Sequence, residues 1–195
     1  EPMFIKQINP ISCKTYLLAN AATKELAFVD PVLDGLKEYL DVIAKLRAED
    51  DAWKLTAVVD THTHADHISG AAALKDYTDC NYIMHKNSKQ QCVDIHVVDG
   101  QEIEIAGVKA KVLHSPGHTK DSISLVVEDQ GQTALFTGDA LFLDDGGAGR
   151  DDLPGGDPGE HYETLQRLKE LNEDLIVLPG HDYRERIPSS LRKQK

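Results

Sequence analysis

The feature that most constrains this chain is a set of four polar turns, each carrying histidine or aspartate directly behind a short strand-like run. Leu55–Val59 leads into Thr61-His62-Thr63-His64-Ala65-Asp66-His67. Val108–His114 leads into Ser115-Pro116-Gly117-His118-Thr119, Thr133–Phe136 into Thr137-Gly138-Asp139-Ala140, and Leu175–Leu178 into Pro179-Gly180-His181-Asp182. A strand end is a rigid place from which to aim a side chain, so a fold that serves all four turns aims them at one shared cleft. Imidazole and carboxylate at that density suit zinc, iron or manganese.

The rest of the chain supplies the frame. Phe4–Ile8, Thr15–Ala19 and Glu25–Val29 read as strands, the last two joined by the turn-like stretch 20–24. Leu36, Tyr39, Leu40, Ile43 and Leu46 recur at helical spacing behind Asp34, which is placed to cap that helix. A short helix is expected over Ile68–Asp76 and another over Gly159–Leu171. Strands are expected at Gln101–Ile105, Val108–His114, Ser122–Val127 and Thr133–Thr137. With strands and helices in both halves, the reading is α/β: two packed sheets with helices outside. No repeat, low-complexity tract or linker divides residues 1–195, which are expected to form a single domain.

Charge and hydropathy exclude two classes of partner. A net charge of −12 with no Lys/Arg-rich run before the last dozen residues lacks the cationic footprint that nucleic acid requires. No apolar stretch approaches the roughly 18 residues of a membrane span, and the start carries no signal-peptide pattern. Cys13, Cys80 and Cys92 are an odd number without a CxxC pair, and are expected to be reduced and mostly buried. Those features place the protein in the cytoplasm, or in an organelle matrix if a transit peptide preceded Glu1.

In order along the chain, His62-x-His64-x-Asp66-His67, then His118, Asp139 and His181, resemble the metallo-β-lactamase superfamily. The resemblance covers nearly the whole sequence and implies an αββα sandwich of two mixed β-sheets with outer helices. β-Lactamases of this superfamily that use a cysteine ligand carry it where this chain has Asp139. An aspartate there is similar to the glyoxalase II and persulfide dioxygenase branch. Ser12–Leu18, Val29–Leu33, His64–Gly70, Phe136–Leu141 and His181-Asp182-Tyr183 look more like persulfide dioxygenases. The helical C-terminal domain that glyoxalase II uses for its glutathione thioester is expected to be missing, since few residues follow His181. Two stretches depart from the dioxygenase pattern. Gly147-Ala148-Gly149-Arg150 stands where a Gly-Cys-Gly-Arg is usual, with Asp144-Asp145 before it, and Arg150–Asp157 looks like small glyoxalase II-like hydrolases.

Two mechanisms stay open on these residues. The resemblance to persulfide dioxygenases implies one Fe(2+) per chain on His62, His118 and Asp139, leaving positions for O2 and the terminal sulfur of glutathione persulfide. His64, Asp66, His67 and His181 then surround the iron site, holding water or orienting ligands. The hydrolase alternative takes two metals, zinc, iron or manganese. His62, His64 and His118 hold one, Asp66, His67 and His181 the other, and Asp139 bridges both, with Asp66 also orienting a hydroxide that attacks a thioester. Asp66 and Asp139 are thus the catalytic carboxylates. Tyr183 and Arg150 are candidates for substrate contact, although Arg150 could equally pair with Asp151 or Asp152. His85, His96, His114 and His161 lie outside the motifs and read as structural or surface residues. Sister enzymes are often dimers, so the resemblance allows a homodimer, but the sequence assigns no patch to an interface. A non-catalytic metal-binding module is the third class, and a missing ligand would have marked it; none is missing.

Overall fold

A computed structural model describes residues 3–8, 12–143 and 147–182. Two mixed sheets pack face to face. The first has the order β1-β3-β4-β5-β6-β7: β1 (Phe4–Gln7), β3 (Tyr16–Asn20), β4 (Glu25–Val29), β5 (Lys54–Val59), β6 (Asn81–His85) and β7 (Ile95–Val97). Its β1–β3 and β3–β4 pairs are antiparallel, and the rest run parallel. The second sheet has the order β12-β11-β10-β9-β8: β8 (Glu102–Ile105), β9 (Val108–His114), β10 (Ile123–Asp129), β11 (Gln132–Gly138) and β12 (Ile176–Pro179). Only β11–β12 is parallel there. A two-stranded ribbon joins β2 (Ser12–Cys13) to β13 (His181–Asp182).

Burial follows the sequence pattern. β3 and β4 are continuous apolar runs because both faces are covered. β9 alternates, with Val108, Ala110 and Val112 inward and Lys109 and Lys111 outward. One core fills the space between the sheets, with Leu18, Val29, Val59, Leu125 and Phe136 among its members. A second lies between the first sheet and helices α1 (Leu36–Glu49) and α2 (Ala71–Thr78), where Tyr39 and Ile43 present the apolar stripe of α1. The third packs Leu168 of α3 (Pro158–Lys169) on Leu135 and Val177 of the second sheet. The order of layers is helix, sheet, sheet, helix, as the pattern implied.

Several local expectations need correction. Asp34 does not cap α1; it lies in a 3-10 turn, Leu33–Gly35, and Gly35 holds the cap position. Helix α2 begins at Ala71 rather than Ile68, which is 72% exposed. Strands β6 and β7 were not foreseen. They extend the first sheet in parallel, a pairing that leaves no hairpin signal in sequence. Of the three cysteines only Cys80 is buried; Cys13 is half-buried and Cys92 exposed. Among the described residues, no helix is long and apolar enough to cross a membrane.

Candidate metal centre

The four turns converge at one end of the sandwich. His62 follows β5, His118 follows β9, Asp139 follows β11 and His181 opens β13, so both sheets and the ribbon contribute. The junction is tied by backbone bonds: Thr61 O accepts from Ile123 N, Gly138 O from Gly180 N, and Gly180 O from Lys14 N. Tyr16 Oη donates to Pro179 O at 2.7 Å.

His62, His118 and Asp139 form a buried trio whose ligand atoms lie within 4.8 Å of one another. Asp139 Oδ2 is 3.5 Å from His62 Nε2 and 3.3 Å from His118 Nε2. Each ring is held by its far nitrogen. Thr61 Oγ1 donates to Asp30 Oδ2 at 2.7 Å, so it accepts from His62 Nδ1 at 2.9 Å. His118 Nδ1 donates to Arg150 O at 2.6 Å. Both arrangements leave an Nε2 lone pair facing Asp139, the orientation in which imidazole serves a metal.

His64 is turned the other way. Its Nε2 lies 3.3 Å from Asp30 Oδ1 and 3.9 Å from Asp60 Oδ1. Burial opposes its charge, but the Asp30 bond and both carboxylates outweigh this and lift His64 to about 9. Asp30 takes a left-handed backbone, φ 53°, and accepts Thr61 N at 2.8 Å, which fixes the start of the His-rich loop.

Next to the trio lies a second group, Cys13, Asp66, His67 and His181. His181 Nδ1 donates to Asp139 Oδ1 at 2.6 Å, and its Nε2 donates to Asp66 Oδ2 at 2.8 Å. Cys13 Sγ lies 3.3 Å from His181 Nε2 and 3.5 Å from His67 Nδ1. Burial would lower His181, but the Asp139 and Asp66 carboxylates raise it; the same pairing holds Asp66 near about 2 against its own desolvation. Asp139 is likewise driven well below the carboxylate range by the His181 and His62 rings, although burial pushes it upward.

The donors suit a metal by a structural criterion. His62 Nε2, His64 Nδ1 and His67 Nε2 are buried nitrogens without a hydrogen-bond partner, and such atoms are costly unless something binds them.

A sequence model of the metallo-beta-lactamase superfamily matches residues 8–181. The chain belongs to this superfamily. Among its relatives, the human mitochondrial persulfide dioxygenase ETHE1 is 31% identical over 198 residues, covering 100% of this chain and 74% of that protein. A hydroxyacylglutathione hydrolase of Rhodopseudomonas palustris (strain BisB5) is 35% identical over 170 residues, covering 86% of this chain and 62% of the hydrolase. The crystal structure of ETHE1 from Myxococcus xanthus superposes with a TM-score of 0.88 at 36% identity, over 98% of this chain and 81% of that one. These likenesses agree with the two branches to which the motifs pointed, and a superfamily member of this kind is a metal-dependent enzyme.

The remaining superfamily candidates fall as follows. All seven motif residues reach the centre, either in the trio, in the second group or, for His64, against Asp30. Arg150 contributes its carbonyl to His118, while its guanidinium makes a two-pronged pair with Asp152, at 2.7 and 2.8 Å. Tyr183 and the Asp144-Asp145 pair lie outside the described residues. His161 is buried with Nε2 bonded to Ala140 O, His85 stacks on His114, and His96 is exposed. Sequence reasoning missed Asp30, Asp60, Thr61 and Cys13 as parts of the centre. Asp30 was findable, since it follows β4 as Asp139 follows β11.

Proposed function

We propose that this chain is a persulfide dioxygenase with one Fe(2+), held by His62, His118 and Asp139, acting on glutathione persulfide. The overall change is one persulfide, one O2 and one water giving glutathione and sulfite. The observation that carries the reading is the bonding of His181. Both of its nitrogens donate to carboxylates, Asp139 Oδ1 and Asp66 Oδ2, so His181 is already engaged on both sides of its ring. Asp139 keeps only Oδ2 for the trio, a one-oxygen ligand on one face with two histidines. When bound, a ferrous ion on such a face supplies open positions for O2 and sulfur. His181 fixes the Asp139 carboxylate, Thr61 and the Arg150 carbonyl fix the two rings, and Asp66 carries the counter-charge of His181. The full-length likeness to persulfide dioxygenases supports the same choice. We take the protein as a single domain working in a reducing compartment, in keeping with three cysteines that form no disulfide.

A second reading, thioester hydrolysis at two metals, is favoured by the unpartnered His64 Nδ1 and His67 Nε2 and by the hydrolase relatives. Oxygen uptake by anaerobically iron-loaded protein given glutathione persulfide, beside cleavage of S-lactoylglutathione, separates the two. Oxygen uptake without thioester cleavage is expected. Rapid thioester cleavage with no oxygen consumed reverses the choice.

A further inference from the structure

One cavity reaches the candidate centre at His118, a member of the trio, and at His64. It measures about 320 Å³, and its lining joins the buried His118 and its neighbour His64 to the exposed Lys89 and Lys120. A volume of that order suits a small molecule rather than a macromolecule. The two lysines stand out in a chain whose net charge is −12. The acidic residue in the same lining, Asp121, is already spent: its carboxylate accepts from Thr63 N, Thr63 Oγ1 and Thr119 Oγ1. That bonding also ties the wall bearing Lys120 to the loop bearing His62 and His64. Lys120 is fixed at its backbone, where its carbonyl accepts from His114 Nε2 at 2.9 Å and Asn87 Nδ2 at 3.5 Å. Its ammonium pairs with Glu160 at 3.1 Å, with both side chains exposed. An exposed pair of this kind is weak and exchangeable for another carboxylate. Arg150, whose carbonyl accepts from His118, is not on offer in the same way, because Asp152 fills its guanidinium fork.

We infer that Lys89 and Lys120 form the carboxylate-reading end of the substrate cleft. The substrate is then a small thiol derivative with carboxylates at the end away from its sulfur, lying with the sulfur toward His118 and the carboxylates toward the two ammonium groups. This deepens the persulfide reading and rests on it for where the sulfur points, but binding can be measured apart from turnover. The distinction it makes is chemical: an acid and its neutral ester differ at the lysines and not at the sulfur.

The test is calorimetric binding of S-methylglutathione, which carries no reactive sulfur, to the zinc-loaded full chain, beside its diethyl ester. Lys89→Gln and Lys120→Gln are each expected to weaken binding of the acid about threefold to tenfold, the range for one charge-assisted bond at a partly exposed site. The double variant is expected to bind acid and ester alike and to lose the salt dependence of the wild type. Glu160→Gln is expected to tighten the acid, by releasing Lys120. Melting curves check that the variants fold, which exposed lysines should not disturb. The inference is overturned if the wild type binds the ester as tightly as the acid, or if the double variant binds the acid like the wild type. Lysine-dependent binding together with no oxygen uptake overturns the persulfide reaction and leaves the cleft assignment standing.

Discussion

Asp139 and His181 share a 2.6 Å hydrogen bond through Oδ1, and this bond decides which way the other carboxylate oxygen faces. Oδ2 is left between the Nε2 atoms of His62 and His118. Under the one-iron reading, His181 orients a ligand without being one. Asp139→Ala should therefore abolish metal binding, and His181→Ala should keep one iron per chain at reduced affinity. Elemental analysis after anaerobic loading checks both. Equal metal loss in the two variants would instead favour the two-metal hydrolase.

Thr61 sets the tautomer of His62. Its hydroxyl hydrogen goes to Asp30, so its oxygen can only accept from Nδ1, and the lone pair is left on Nε2. Thr61→Val should cost about 10- to 100-fold in metal affinity, the usual range for losing a group that orients a ligand. Thr61→Ser should retain most of it. Titration against a competing chelator measures the difference.

Gly149 is required by close approach. A Cβ there would lie 2.4 Å from Asp139 O and 3.0 Å from His118 Nδ1. Gly149→Ala should force those two residues apart, costing about 1–3 kcal/mol as for other overpacked sites. A lowered melting temperature and a lowered metal content, read on the same preparation, are the expected outcome. Wild-type values for both would mean that the 147–150 turn can move without disturbing the centre.

His85 gives the fold an acid-sensitive point away from the metal. It is buried and stacks on His114 at 4.1 Å between centroids and 3° between planes. Burial, and then the neighbouring His114 ring, lower its pKa from 6.5 to about 4. A histidine depressed in this way binds its proton more readily unfolded. Its contribution is thus complete above pH 6.5 and is lost as the pH falls toward about 4. His85→Gln should flatten the fall of melting temperature across that window. An unchanged slope would assign the acid sensitivity to other groups.

The legible parts of this protein were those with a short-range signature. The strand patterns of β5, β9, β11 and β12, followed by polar turns, announced both the sheets and the candidate ligands, because strand and turn are adjacent in the chain. The α1 stripe through Tyr39 and Ile43 was equally plain. What escaped depends on distant partners. Strands β6 and β7 are defined by parallel neighbours, and β2 only by its pairing with β13. Asp60 sits at a strand end like the ligands, but its buried carboxylate is bound by Ser69 and Tyr82, which no spacing reveals. Arg150 shows the same limit: its identity suggested a charge for a substrate, and the fold uses its carbonyl.

The β2–β13 ribbon pairs His181 with Cys13, residues 168 apart in sequence. Closing a loop of that span is entropically expensive, and contacts of such separation tend to form late. His62, His64 and Asp66 are, by contrast, neighbours from the start. A refolding experiment should then show sheet signals recovering before the His181–Asp139 bond protects Asp139 from a carboxyl-modifying reagent; protection that precedes the sheets would contradict this order. Until the two ends meet, Asp139 and Asp66 lack the ring that bridges them. The ribbon makes the seating of the Asp139 carboxylate a property of the finished fold.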